Sequence, residues 1–180
     1  MEPHPASSLQ APSTPGDLVD ELLRVQQLIA QRADPSHIYQ AVVEGALRLL
    51  HGNSGALRFL DLEDASWTVA VAGVGTVESG ERWRRRAPIT EGASGRAIAR
   101  GELVSIEAIQ RDEMASRLAP PDLQAAIAVP VRERDKVIGA LVVGTSTPGR
   151  RWSARERELL RAYGEHMSVV LTVARASHAV

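Results

Sequence analysis

Ala125 to Thr145 reads AAIAVPVRERDKVIGALVVGT, two apolar limbs joined by a charged tip at Glu133, Arg134 and Asp135. Each limb has strand length and is rich in Val and Ile, and neither shows the 3.6-residue spacing of a helix. The stretch is therefore predicted to be a β-hairpin at the centre of its sheet. Side chains alternate along a strand, so Ile127, Val129 and Val131 face one side, and Ala126, Ala128 and Pro130 the other. Burying a Val or Ile side chain is worth about 1.5 to 3 kcal/mol, which makes the bulky row the structural face and leaves space over the small row.

Working outward, Ser153 and Glu156 are spaced as a capping box, in which each residue satisfies a backbone N–H of the other. Leu160, Tyr163, Met167, Val170 and Ala174 then recur at steps of three and four, predicting a long amphipathic helix to about Ala176. At the other end, Leu18, Leu22, Val25 and Ile29 form a similar seam from Asp17 to about Gln31, with Leu23 and Leu28 beside it. Asp34 as N-cap and Pro35 in the first turn open a second helix, which closes near Leu50, His51 and Gly52.

Ser54 to Leu62 (SGALRFLDL) and Ser66 to Ala72 (SWTVAVA) read as a first hairpin turning at Glu63 to Ala65. Arg82 to Ile89 (RWRRRAPI) is expected to be extended, with Pro88 favouring a sheet edge or strand end. Glu91 to Gly101 gives a turn with a capping Ser94 and a short helix closed by Gly101, followed by a brief strand at Glu102 to Ile106. Glu107 to Gln124 reads as a short helix containing Ile109 and Met114, then irregular chain through Pro120 and Pro121.

The 180 residues suit one domain, and 44% hydrophobic content is that of a globular core. The expected division is a disordered tail at 1–16, a single domain at 17–176 and a short tail at 177–180. A formal net charge of −1 gives no field that would draw nucleic acid or an anionic membrane. Cysteine is absent, which removes disulfides and thiolate chemistry and fits a reducing cytoplasm. No apolar run reaches membrane-spanning length, and residues 1–16 lack the pattern of a signal peptide.

The stretch EGASGRAIARGELVSI at Glu91 to Ile106, the AAIAVPV strand with Pro130, the VIGALVVG strand with Gly139, and PGRRWSARERELL before the last helix together resemble a GAF domain. This is a small-molecule sensor module of bacterial signalling proteins, and the resemblance spans roughly Leu18 to Ala174. It implies an α+β fold: an antiparallel sheet of about five or six strands, N- and C-terminal helices on one face, and ligand-binding loops and short helices on the other. The predicted pocket lies over Ala126 and Ala128, under a cover drawn from the glycine-punctuated segment with Gly95 and Arg96, the Ile109 and Met114 helix, and the loop carrying Trp83 and Arg86.

Relatives that reduce methionine sulfoxide use cysteines, and phytochrome-type relatives tether a bilin through one, so neither mechanism is available as written to a chain without cysteine. Haem-holding relatives place a histidine shortly before the strand that is here Ala125 to Arg132; RLAPPDLQ stands there instead. Among the five histidines, His4, His37, His51, His166 and His178, none forms a ligand spacing, so neither metal nor cofactor is expected. His51 is read as contacting helix C-terminal carbonyls, and His166 as exposed or at an interface.

Gly92, Ser94 and Gly95 match neither a phosphate loop nor a nucleophile elbow, and the acidic pairs Glu63–Asp64 and Asp112–Glu113 read as solvated. The Arg82 to Arg86 cluster around Trp83 reads as a solvated edge, with no second basic platform for a polynucleotide. The expectation is a non-enzymatic cytoplasmic sensor that binds an unknown small molecule and signals through its terminal helices to an output domain or a partner protein. The alternative is a homodimerisation module built on the helix seams, with Leu22 and Val170 in the interface, unless the seams merely cover the sheet within the protomer, which one face of each helix must do.

Overall fold

The computed structural model describes residues 11–75, 86–109 and 121–178. In chain order the elements are α1 (Pro15–Ala30), α2 (Pro35–Leu50), β1 (Ser54–Leu60), β2 (Trp67–Val74), β3 (Ala87–Pro88), α3 (Gly92–Arg100), β4 (Val104–Ile106), β5 (Ala125–Glu133), β6 (Lys136–Thr145) and α4 (Ala154–His178). The strands form one antiparallel sheet in the order β3-β2-β1-β6-β5-β4. The β5–β6 hairpin runs from the Ala125–Thr145 pair to Glu133–Lys136, and β6 also pairs with β1, so the hairpin is central as its sequence predicts. Pro88 lies on the edge strand β3, where its missing N–H breaks no ladder.

The bulky and small rows of β5 face different layers. Ile127, Val129 and Val131 join Leu57, Leu141 and Val143 in a core that α1, α2 and α4 cover. Ala126, Ala128 and Ala140 face the other way, against Ala93 and Ala97 of α3. All five α4 seam residues reach the main core, four of them buried and Val170 partly. Leu18, Leu22 and Ile29 also pack against it, with Val25 fully enclosed.

The last helix starts as its sequence predicts: Glu156 N–H donates to Ser153 Oγ (3.1 Å) and Ser153 N–H to Glu156 Oε1 (3.0 Å). The first helix begins at Pro15, earlier than the predicted Asp17, because Thr14 and Asp17 form a second capping box. There Asp17 N–H donates to Thr14 Oγ1 (3.2 Å) and Thr14 N–H to Asp17 Oδ2 (2.7 Å). The Thr14 backbone N–H and hydroxyl both donate to the Asp17 carboxylate and hold it below its ordinary pKa. The boundary expected after residue 16 thus falls inside α1, and Ser13 before it is buried.

Two other cap assignments change. Asp34 and Pro35 sit where expected, but Asp34 makes no side-chain cap bond. Ser94 lies inside α3, whose N-cap is Glu91. His51 is the left-handed C-cap of α2 (φ 53°), yet its ring meets the carbonyl of Ala11 (3.1 Å) rather than a helix carbonyl, because the folded N-terminal segment brings that oxygen within reach. His166 is exposed, with Nδ1 2.9 Å from the Ala162 carbonyl of its own helix.

A buried polar junction fixes the helical layer. Glu21 of α1 accepts a fork from Arg48 of α2 at 2.7 and 2.8 Å, and Tyr163 of α4 donates its hydroxyl to the Val42 carbonyl at 2.7 Å. Burial, reinforced by the nearby Glu21 charge, pushes the Tyr163 phenol well above its ordinary range, which keeps it neutral and donating. Since a buried carboxylate without its partner is costly, the fork sets how α1 lies on α2.

Candidate functional site

The face opposite the three long helices is the candidate site, and the structure places each predicted residue relative to it. Ala126 and Ala128 are buried, and the space directly above them is taken by α3, through Ala93 and Ala97. Small side chains on both surfaces permit that close approach, so space read from one strand alone is filled by a helix distant in sequence. Ile109 packs at the margin of the same cluster, and its N–H donates to the Gln124 carbonyl (3.1 Å).

Gly95 serves a close approach of backbones: an added Cβ would stand 2.2 Å from the Ile89 carbonyl oxygen, so only glycine lets α3 reach the turn after β3. Arg96 is half-buried on α3. Arg86 lies instead at the β1–β2 turn, where its Nε is 3.0 Å from Asp61 Oδ2 and its guanidinium stacks 4.8 Å from the Trp67 ring centre. Trp83 and Met114 lie outside the described residues.

Arg58 of β1 was not singled out by sequence reading. It sits opposite Ala140, on the α3 side of the sheet, and is 5% exposed. Its Nε donates to Thr68 Oγ1 (2.9 Å) and its Nη2 to the Thr68 carbonyl (3.3 Å), while the Thr68 hydroxyl donates to the Ala87 carbonyl (3.3 Å). Burial lowers the guanidinium pKa to about 10. The available signal was a lone charge inside the apolar run SGALRFL, which alternation alone assigns to solvent.

This face therefore combines a floor of small residues, one short covering helix, short edge strands and a buried cation. Among the described residues it carries no paired nucleophile and base. Among the described residues no group of three or more His, Cys, Asp or Glu side chains is placed to hold a metal. Nor, among them, is any helix long and apolar enough to cross a membrane.

Among the described residues, a six-stranded antiparallel sheet with a three-helix layer on one face and a short helix on the other makes an α+β domain. The sequence profile of the GAF domain matches residues 34–171, most of the chain, and the protein belongs to the GAF domain family, a family of sensory and regulatory domains. No curated protein sequence matches it significantly.

Solved structures share the fold. The GAF domain of an Acinetobacter phosphoenolpyruvate-protein phosphotransferase superposes with a TM-score of 0.71 at 22% identity, covering 91% of this chain and 98% of that one. A free methionine-R-sulfoxide reductase from Neisseria meningitidis, solved with its substrate, gives 0.74 at 13% identity, covering 94% and 98%. The phycocyanobilin-bound GAF domain of a cyanobacterial phytochrome gives 0.67 at 14% identity, covering 89% and 97%.

Proposed function

We propose that this chain is a non-enzymatic, cytoplasmic GAF-type sensor that binds a small molecule on the α3 side of its sheet and passes occupancy to α1 and α4. The observation that carries this reading is the burial of Arg58 on that side, 5% exposed on a strand whose opposite face is sealed by helices. A buried cation on that side favours a ligand with a polar or anionic group, taken up beside α3 rather than in the filled space over Ala126 and Ala128, and bordered by Ile109 and Arg96. That similar folds hold a substrate or a bilin supports use of this scaffold for small molecules. The mechanism is a population shift: a ligand that favours one placement of α3 biases the sheet and the helices packed behind it.

Calorimetric titration of the purified protein against cyclic nucleotides, amino acids and haem tests the reading. Saturable heat that weakens about tenfold or more in Arg58→Met, through loss of a charge-assisted contact, supports it. Silence across the panel overturns it.

A second reading, compatible with the first, is homodimerisation through the terminal helices. The predicted seams turn inward, since Leu22 and Val170 pack on the protomer core. A different stripe is left outside: Val19 (52% exposed) and Leu23 (50%) on α1, with Val169 (67%) and Val173 (49%) on α4, each pair one turn apart. Leu23→Glu combined with Val173→Glu is expected to halve the mass measured by light scattering with little change in melting temperature. An unchanged dimer mass in this variant, or a monomeric parent protein, would exclude the stripe as an interface.

A further inference from the structure

A recess lies between β5, the Arg161 to Val173 stretch of α4 and the Gly101 to Leu103 stretch. Its volume is about 530 Å³. Leu103, Val129, Pro130, Val169 and Val173 supply an apolar lining, with Ser168 and Thr172 between them. Three guanidinium groups, those of Arg132, Arg134 and Arg161, stand around it against two carboxylates, Glu102 and Glu165. The difference is one positive charge.

The site is partly organised in advance. Arg132 donates its backbone N–H to Ser168 Oγ (3.0 Å) and its guanidinium to the Gly101 carbonyl, which ties together the three elements that form the recess. Arg134 is held at the hairpin tip in the left-handed conformation (φ 55°). Neither Arg134 nor Arg161 makes an ion pair among the described residues.

We infer that this recess binds a small organic monoanion with an apolar body, such as an aryl or alkyl carboxylate or sulfonate. Its volume falls within the range of about 300 to 1,000 Å³ typical of small-molecule sites. Val169 and Val173 also belong to the exposed stripe considered for dimerisation, so a dimer formed through that stripe would compete with the small ligand. One excess positive charge matches one anionic group, and arginine suits the flat, forked shape of a carboxylate or sulfonate. Because α4 forms a wall, the occupant touches the terminal helix directly. The site does not depend on the ligand proposed for the α3 side.

Two fluorescent probes with the same aromatic body test it: 8-anilinonaphthalene-1-sulfonate, which carries one charge, and N-phenyl-1-naphthylamine, which carries none. The sulfonate is expected to bind the intact protein and to weaken about tenfold in the Arg134→Gln, Arg161→Gln double variant, while the neutral probe is unaffected by that change. Thr172→Trp, which fills the recess, should weaken both. Amide shifts on sulfonate titration of labelled wild-type protein should centre on Gly101 to Leu103 and Ser168 to Val173, a readout that needs no variant. No sulfonate binding, equal sulfonate affinity in all three proteins, or shifts centred on Ala126 and Ala128 would overturn the proposal.

Discussion

Gly139→Ala is expected to prevent stable folding, although it adds a single methyl group. A Cβ at this position would stand 2.1 Å from the carbonyl oxygen of Arg58 and 2.8 Å from Cδ1 of Phe59. The Phe59 ring can turn, but the carbonyl belongs to the β1 backbone, where Arg58 pairs with Ala140 and Phe59 with Gly139 itself. Relief requires β1 and β6 to part at the middle of the sheet, opening both layers at once. Overpacking usually costs about 1 to 3 kcal/mol when side chains can yield. Here backbone must move, so the loss should exceed about 3 kcal/mol, a large part of the roughly 5 to 15 kcal/mol that stabilises a domain. The checks are the amide spectrum and urea unfolding. A dispersed spectrum with less than about 1 kcal/mol lost would show that β1 accommodates the methyl group.

Ile127→Ala is expected to cost about 2 to 5 kcal/mol, the range for deleting a buried branched side chain where the surroundings cannot collapse. Ile127 is fully buried in the core shared by sheet and long helices. The neighbouring change Ala128→Leu points to the other layer and has a different signature. It drives three extra carbons between β5 and α3, at about 1 to 3 kcal/mol, and its strain falls on the short helix. Hydrogen exchange separates the two. Ile127→Ala should lower protection throughout the sheet and the helical layer in proportion to global stability. Ala128→Leu should deprotect the α3 amides while α2 and α4 keep most of theirs. Equal loss of protection everywhere in both variants would mean that the two faces are not separate packing units.

Much of the fold was legible because its signals are local. Hairpin length and valine content, the Ser153–Glu156 box, the Gly101 stop and the edge position of Pro88 each depend on a few neighbouring residues and on backbone sterics. The Thr14–Asp17 box was equally local and went unread because the proline-rich stretch around it suggested a tail. Ser94 was misassigned for the opposite reason: serine near a glycine is a cap only if the helix starts after it, and here the helix has already begun.

The candidate site was legible only in part. The contrast between Ile127 and Ala128 predicts two unlike faces, and the structure has them. The contents of the second face are a different matter. Arg86 reads like Arg58 in a list of arginines, yet one stacks on Trp67 at a turn and the other is enclosed beside Thr68.

By itself, then, the sequence determined most of the described elements, their order, the two-sidedness of the central hairpin and its likeness to a sensory domain, since period, caps and turns act over a few residues; the short helix expected within Glu107 to Gln124 falls largely outside the described residues. Only the tertiary structure decided that α3 fills the space above Ala126 and Ala128, that the helix seams are internal while Val169 and Val173 remain outside, and that Arg58 is buried. Those outcomes depend on what packs against each residue from elsewhere in the chain, and burial is a property of that whole arrangement.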